Sequence, residues 1–314
     1  MRVLVAHRGG LSGAERMAVR TAAALAARGD EVRLVRDRGE LARTSWAPEV
    51  VHLVDLADPG FGAAAAALAR RAGAGLAVTP ASAPSFWGEE TAAVELCRSA
   101  DLLFCLTEAE WEVLRELGVA GPAVRFLPQA PALLGGGDGR RFRARHRLDG
   151  AIVLFLGRKA RSKGYRELLA AAPAVWRLAP NASFVFLGPP WDEDCEDCFR
   201  RCGDPRVLDL GLVSDPEKED ALAACDLLCL PTRADVSPLV FAEAWSYGKP
   251  VLSGSFPGVG EVVENGGDGL VVDGRDPPAI AAAIVRFLRD PLLRHALGER
   301  GRAKVEARMS WEAV

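Results

Sequence analysis

Two carboxylates eight positions apart, Asp235 and Glu243, have the spacing in this chain that points most directly to chemistry. They lie in the segment 235–250, DVSPLVFAEAWSYGKP, where Pro238 suits the first turn of a helix. A helix start has free N–H groups and a positive dipole end, so it favours a phosphate. Glu243 would lie about two turns into this helix. The two acids could bind hydroxyls on either side of a diphosphate, as the sugar and the ribose of a nucleotide diphosphate sugar require.

Basic residues upstream are suited to bind the diphosphate. The apolar run VLFLG at 153–157 predicts a buried strand, and RKARSKG follows it. Arg158 and Lys163 would then lie at the carboxyl end of a strand, where ligands of open α/β sheets bind. An arginine can bind two phosphate oxygens at once, and a lysine adds a compact charge. We interpret their neighbours Lys159 and Arg161 as solvated surface residues.

Three segments together resemble a known family. They are Gly157-Arg158 with Lys163-Gly164, the acid-x7-Glu segment, and the loop PGVGEVVENGGDGL at 257–270. These segments are similar to those of the retaining glycosyltransferases of family 4, the glycosyl transferases group 1, which have the GT-B fold. The resemblance is clear over residues 151–314 and looser in the first half, at 13–16 and 26–32.

The resemblance implies an α/β protein of the GT-B fold, with two Rossmann-like domains whose parallel sheets face each other across a cleft. An N-terminal acceptor-side domain would occupy 1–134, a linker 135–150, and a nucleotide-sugar donor-binding domain 151–314. The glycine-rich start of the linker, 134–139, is expected to be flexible, and a basic stretch, 140–147, follows it. In similar enzymes a helix beyond the Ser-Trp-Glu at 310–312 crosses back to the first domain. Since this chain stops at Val314, we expect one covalent connection and a cleft that closes on the donor.

The resemblance also assigns roles to single residues. Arg158 and Lys163 would be catalytic, because they would stabilise the departing diphosphate. Glu243 would bind the ribose, and Asp235, where the family usually has Glu, would face the donor sugar. The N–H of Gly13 would approach the diphosphate. The expected donor-binding residues are Gly13, Gly157, Asp235, Ser237, Pro238, Leu239, Val240 and Glu243.

The implied activity is transfer of a sugar from a nucleotide diphosphate sugar (UDP-, GDP- or similar) to an acceptor hydroxyl, with retention, as in hexosyltransferases. The acceptor could be a small molecule, a lipid-linked molecule or a glycan. We expect no cofactor and no metal. Two alternatives stay open. One is a non-catalytic nucleotide-sugar binding protein of GT-B fold, favoured by Asp235 and by the absence of a His after the strand at 76–79. The other is a GT-B epimerase or phosphorylase.

Composition excludes several classes of protein. A chain of 314 residues with 49% hydrophobic residues can bury the cores of two domains. A net charge of −3 does not favour nucleic acid, and four histidines give no signal of a metalloenzyme. No signal peptide and no apolar run near the ~20 residues of a membrane span is recognisable. Peripheral membrane contact stays open. Cys97, Cys105, Cys225 and Cys229 lie in apolar runs, so we expect buried thiols and a cytoplasmic protein.

Apolar runs alternate with helix-like stretches, which predicts parallel α/β layers of the same architecture in both halves. The predicted strands are 2–7, 31–35, 50–54, 76–79, 102–106, 124–127, 152–157, 183–187, 207–210, 227–230, 250–253 and 269–272. The predicted helices are 14–28, 61–72, 90–99, 108–117, 165–178, 217–224, 239–247, 278–289 and 291–308.

Two histidines and one glycine-rich turn have more than one interpretation. His7 and His52 are predicted at or near strand ends and could reach the site, but a core or surface role is favoured. The turn GGLSG at 9–13 has Arg8 where a dinucleotide fingerprint needs glycine, so it is a weak signal for NAD. Ser12 and Glu15 are better interpreted as a capping box.

The segment 191–202, WDEDCEDCFRRC, contains the other ambiguous patterns. Cys195, Cys198 and Cys202 have helical spacing but no obvious fourth ligand for zinc, so ordinary, partly buried thiols are favoured and a metal site stays open. The Asp-x-Asp at 192–194 resembles a metal-binding pattern of other glycosyltransferases. We interpret it as a solvated loop.

Overall fold

The structure is a computed structural model that describes residues 1–10 and 12–311. Within these residues the chain alternates between twelve strands and thirteen α-helices. Their contacts define two compact units, Met1–Ala132 with the turn Asp235–Ser237, and Leu133–Ala234 with the described chain from Pro238 to Trp311. The expectation for the end of the chain concerns residues 312–314, which lie outside the described part.

A parallel sheet flanked by helices forms the first unit. Its strands are β1 (Arg2–Ala6), β2 (Glu31–Val35), β3 (Val50–Val54), β4 (Gly75–Thr79), β5 (Leu102–Cys105) and β6 (Ala123–Phe126). Its helices are α1 (Gly13–Ala27), α2 (Arg38–Arg43), α3 (Pro59–Ala72), α4 (Glu90–Arg98) and α5 (Glu108–Glu116). The strand order is β2-β1-β3-β4-β5-β6.

The second unit has the same layers in a different strand order. Its strands are β7 (Ile152–Leu156), β8 (Ser183–Leu187), β9 (Val207–Gly211), β10 (Leu227–Leu230), β11 (Val251–Gly254) and β12 (Gly269–Val272). Its helices are α6 (Gly139–His146), α7 (Tyr165–Trp176), α8 (Cys195–Cys202), α9 (Asp215–Ala224), α10 (Leu239–Ser246), α11 (Val259–Val262), α12 (Pro277–Arg289) and α13 (Pro291–Arg308). The order β12-β11-β10-β7-β8-β9 is that of a Rossmann fold.

The twelve predicted strands are confirmed across the described residues. Every residue of β7, β8, β10 and β11 is buried, because helices cover both faces of a parallel sheet. The structure adds α2, α6, α8 and α11 to the predicted helices. Helix α6 was missed because its sequence, GRRFRARH, has a single buried apolar residue, Phe142, and therefore no apolar period.

The segment 135–150 differs from the flexible linker expected there. The N–H of Gly135 donates to the Glu219 carboxylate at 2.9 Å. Helix α6 then packs against α9, where Arg141 pairs with Asp220 at 2.5 Å. These contacts tie the segment into the second unit, because α9 supplies acceptors for backbone groups that a free linker would expose to water.

Candidate functional site

The predicted diphosphate-binding residues lie where the strand order of the second sheet reverses. Strands β7 and β10 are neighbours, yet the chain continues from β7 to β8 on one side and from β10 to β11 on the other. The loops after them diverge and leave a crevice at the carboxyl edge. Gly157, Arg158 and Lys163 follow β7, and Asp235 follows β10. The topology thus explains why residues distant in sequence share one edge of the sheet.

A 3-10 turn, Arg161–Lys163, is fastened to the loop after β10. The N–H of Arg233 donates to the carbonyl of Ser162 at 2.8 Å. The half-buried Lys163 donates from Nζ to the carbonyl of Ala234 at 3.3 Å. The ammonium group therefore lies beside the residue that precedes the acid-x7-Glu segment.

Three glycines allow neighbouring backbone to pack closely against the loop after β10. A Cβ on Gly164 would lie 2.3 Å from the carbonyl oxygen of Pro231, and one on Gly274 2.4 Å from the same oxygen. A Cβ on Gly254 would lie 2.2 Å from the carbonyl oxygen of Thr232. Gly164 also has a φ of 77°, in the left-handed region that favours glycine. The backbone packing at these glycines fixes the course of the loop towards α10.

Gly164→Ala should therefore lower the free energy of unfolding by about 2–4 kcal/mol, since strain at positive φ adds to a clash with backbone that cannot move aside. Urea unfolding followed by circular dichroism measures this. Gly260→Ala is the matched control, because a Cβ there meets nothing within 4 Å and φ is not positive. Equal stability of the two variants would contradict the close packing.

Helix α10 starts beside this loop without a side-chain cap. Pro238 precedes its first turn, which contains no acidic residue, whereas α9 and α12 are capped by Ser214 and Asp276. Within the described residues, no side chain caps the N–H groups of this first turn, where Leu239 and Val240 lie. Such an entrance, with its positive dipole end, suits an anion.

Glu243 lies just over one turn into α10, not two turns as expected, because the helix begins at Leu239. Its side chain is 1% exposed, and Oε1 accepts from Nζ of Lys218 on α9 at 2.7 Å. One carboxylate oxygen thus has a fixed protein partner, and the ribose role of Glu243 stays a prediction. Asp235 and Ser237 are half-buried in the turn before α10.

Arg158 lies over an exposed tryptophan. Its guanidinium carbon is 4.6 Å from the ring centroid of Trp191, which is 60% exposed. Arg166 anchors the loop that carries Trp191, since it binds Asp194 and lies 3.6 Å from Asp192. The Asp-x-Asp pair is therefore ion-paired, not solvated as expected. An arginine that lies on an aromatic ring can still donate to phosphate oxygens from the edge of its guanidinium group.

Lys159 is not the solvated residue that the sequence suggested. It is 1% exposed, pairs with Asp209 of β9 and lies 5.2 Å from the ring centroid of Phe199. The pairing follows from burial, because an unpaired ammonium in the interior is costly. Arg161 is exposed, as expected.

Gly13 is the exposed first residue of α1. The N–H of Glu15 donates to Oγ of Ser12 at 3.1 Å, which confirms the N-cap half of the predicted capping box. The Glu15 carboxylate pairs with Arg36 at 3.3 Å. The contact of Gly13 with a diphosphate stays a prediction.

Both histidines of the first unit are core residues. His52, inside β3, is 9% exposed, and its Nε2 lies 2.8 Å from Oγ1 of Thr79. Burial lowers the pKa of His52 to about 4. His7 is 3% exposed, its Nδ1 accepts from the N–H of Gly9 at 2.9 Å, and burial lowers its pKa as well. The structure thus agrees with the favoured structural role.

One buried acid of the first unit was not among the predicted site residues. Glu110 is 7% exposed, and its Oε2 accepts from the N–H of Leu106 at 2.6 Å. Its Oε1 has no hydrogen-bond partner within the described part of the chain. Burial raises the pKa of Glu110 to about 8. The signal in the sequence was Thr107-x-x-Glu110, a capping-box pattern whose N-cap bond is present at 3.1 Å.

The raised pKa of Glu110 makes stability depend on pH. The folded state keeps a proton that the unfolded state releases near pH 4.5, so the free energy of unfolding falls as pH rises from about 4.5 to about 8. Glu110→Gln cannot ionise. Its stability relative to the parent should therefore rise by about 1.4 kcal/mol per pH unit in this window.

Chemical denaturation of the parent and of Glu110→Gln at pH 5, 6, 7 and 8 measures this difference in stability. The histidines change the free energy of unfolding equally in both proteins, so their titration cancels. Asp101→Asn, which alters an exposed acid of the same unit, is the control. A stability difference that does not change with pH would show that Glu110 is ionised in the folded protein.

The cysteines agree with the predicted buried thiols. Burial raises the pKa to about 12 for Cys97, Cys105 and Cys225, and Cys229 is raised further. The three cysteines of α8 are free thiols as well. Among residues 1–10 and 12–311, no group of three or more His, Cys, Asp or Glu side chains is placed to hold a metal ion. No helix in these residues is long and apolar enough to cross a membrane.

Comparisons with known proteins agree with this arrangement. The family of glycosyl transferases group 1 matches residues 139–304, just over half of the chain. A GDP-mannose-dependent phosphatidylinositol monomannoside mannosyltransferase of Corynebacterium glutamicum is 34% identical over 162 residues. That match covers 48% of this chain and 42% of the relative, so the chain spans less than half of the relative's length.

Solved structures establish the fold. HepE of Anabaena, in complex with UDP and glucose, aligns with a TM-score of 0.80 at 18% identity, over 99% of this chain and 96% of that chain. Sucrose-phosphate synthase of Thermosynechococcus elongatus aligns with a TM-score of 0.83 at 21% identity, over the same shares. The expected α/β fold with two Rossmann-like domains, GT-B, is confirmed. By its sequence match, the chain belongs to the family of glycosyl transferases group 1.

Proposed function

We propose that this protein transfers a sugar from a nucleotide diphosphate sugar to an acceptor hydroxyl, with retention of configuration. The main support is the position of Arg158 and Lys163, which follow β7 where the strand order of the sheet reverses. Lys163 is also hydrogen-bonded to the loop that leads into the uncapped start of α10. Two cations and a helix start converge on one edge. That combination suits a diphosphate better than a neutral ligand.

In the proposed mechanism the diphosphate is the leaving group. Arg158, with its face on Trp191, directs N–H groups to its oxygens, and Lys163 adds a second positive charge. The charge on the bridging oxygen grows as the glycosidic bond breaks, so these groups stabilise the transition state more than the bound donor. The departing diphosphate itself accepts the proton of the acceptor hydroxyl. Asp235 faces the donor sugar and Glu243 the ribose.

The donor is a UDP- or GDP-sugar in this proposal, which is supported by the complex of HepE with UDP and by the GDP-mannose named for the Corynebacterium relative. The reaction is metal-independent, because the two cationic side chains and the helix start compensate the charge that a divalent cation would otherwise balance. No further cofactor takes part. The acceptor class, a small molecule, a lipid-linked molecule or a glycan, is for the assay to identify.

The first experiment is a thermal-shift screen with UDP, GDP, ADP and their sugars, because a ligand that binds the folded state raises the melting temperature. The donor that gives the largest shift is then radiolabelled in the sugar. Its hydrolysis or transfer is measured with and without a chelator. A shift with turnover that the chelator does not change supports the proposal, and absence of any shift overturns it.

A non-catalytic nucleotide-sugar binding protein is the second candidate. Burial of His7 and His52, together with aspartate at position 235, favours it. The two candidates differ in one outcome, since a binding protein would show the thermal shift without release of free sugar from the labelled donor.

A further inference from the structure

We propose that Lys218 is a positioning residue for donor recognition, which holds the Glu243 carboxylate in the charge state and orientation that the ribose hydroxyls require. This inference rests on the proposed function. Lys218 is 4% exposed on α9, and its Nζ donates to Oε1 of Glu243 at 2.7 Å. The pair joins two helices that are separated along the chain by β10 and its loop.

Lys218 opens a run of three consecutive buried charges on α9. Glu219 is 1% exposed and accepts from the hydroxyl of Tyr247 at 2.8 Å. Asp220 is 4% exposed and pairs with Arg141 of α6. Successive residues of a helix point about 100° apart. The three charges therefore serve three different residues, and Lys218 is the one that pairs with a carboxylate inside α10, the helix whose start is the proposed phosphate site.

Stability alone does not account for a lysine at this place. A buried ion pair is commonly no more stabilising than two apolar side chains of the same volume, because both charges lose their water. Lys218 and Glu243 are 4% and 1% exposed, so both charges have given up nearly all contact with water. A functional requirement for a charged carboxylate explains the pair better.

The requirement follows from the chemistry of a ribose. Its hydroxyls donate hydrogen bonds best to a carboxylate that is ionised and fixed in direction. A carboxylate in apolar surroundings takes up a proton unless a cation is close. Lys218 supplies that cation and, through one oxygen, sets the rotation of the carboxyl group. Because Lys218 is buried and acts through Glu243, it need not touch the ligand itself.

Calorimetry with four probes tests the role of Lys218. The probes are UDP or GDP, whichever the wild-type protein binds more tightly, its 2′-deoxy and 3′-deoxy counterparts, and inorganic pyrophosphate. The wild-type protein should bind the ribose form about 10- to 100-fold more tightly than at least one of the deoxy forms. Lys218→Met should reduce this ratio, the affinity for the ribose form over that for the deoxy form, to about 2-fold or less. It should leave the affinity for pyrophosphate unchanged. Lys218→Arg should restore the ratio.

A matched control removes a buried charge from the same helix. Asp220→Asn disturbs the pair with Arg141 but should leave the ratio as in the wild type. Should Lys218→Met not fold, Lys218→Gln replaces it, because its amide still donates to the carboxylate without the charge, and the ratio should again fall.

The outcomes separate the positioning role from the function. A folded Met or Gln variant with the wild-type ratio overturns the role of Lys218 and leaves the glycosyltransferase proposal standing. An equal loss of affinity for every probe, pyrophosphate included, also overturns the positioning role, because a residue with a merely structural role would have that effect. Absence of any nucleotide binding by the wild-type protein would instead overturn the proposed function itself.

Discussion

Replacement of Arg158 or Lys163 by alanine should lower kcat about 10²- to 10³-fold, with a much smaller change in donor affinity, by comparison with loss of one oxyanion donor. The reason is that the charge on the leaving diphosphate grows in the transition state, so the lost interaction is made mainly there. Steady-state kinetics with the donor varied separates kcat from KM.

Arg161→Ala is the matched control for this prediction. Arg161 belongs to the same turn as Lys163 but is exposed and is not part of the proposed site, so its loss should change kcat less than about 2-fold. If the Arg158 and Lys163 variants showed a raised KM with unchanged kcat, the two residues would be binding groups only. The proposed electrostatic mechanism would then be wrong.

Glu243→Gln should weaken binding of UDP or GDP about 10- to 100-fold. A hydrogen bond to a charged group contributes about 1.5–3 kcal/mol, and the amide keeps the shape of the side chain while it loses the charge. The fold should be less stable as well, because Lys218 would face a neutral partner in the interior. Calorimetry measures the affinity, and urea unfolding measures the loss of stability.

A second buried acid distinguishes the ribose role from this loss of stability. Asp268 is 3% exposed and pairs with Lys304, as Glu243 pairs with Lys218. Asp268→Asn should therefore lower stability while nucleotide affinity stays within about 2-fold of the wild type. Unchanged affinity in Glu243→Gln would refute the ribose assignment.

Much of the fold could be predicted from the sequence, because the signals are local. Each strand of the second sheet is a short apolar run between helical patterns, and burial on both faces of a parallel sheet makes that run continuous. The candidate site residues were recognisable for a related reason; they are Arg158, Lys163, Asp235 and Glu243. Strand ends and helix starts are positions along the chain, so residues that act there keep a fixed spacing from the elements themselves.

The residues that were missed or misjudged from the sequence are those whose surroundings come from distant parts of the chain. Lys218 stands in the run SDPEKED, which has the composition of a solvated helix start, and Lys159 stands in the basic run RKARSKG. Both are buried because other elements pack over them: α10 brings Glu243 to Lys218, and β9 brings Asp209 to Lys159. A charged side chain looks the same in sequence whether water or a carboxylate surrounds it.

The sequence by itself thus determined the alternation of strands and helices, the family, and the spacing of the cations and acids at one edge of the second sheet. The tertiary structure alone decided three features. They are the reversal of strand order between β7 and β10, the fastening of the segment 135–150 to α9, and the buried partner of Glu243. Apolar periodicity is a property of neighbouring residues and can be read along the chain. Sheet order and ion pairing depend on which elements become neighbours in space, and packing decides that only when the chain has folded.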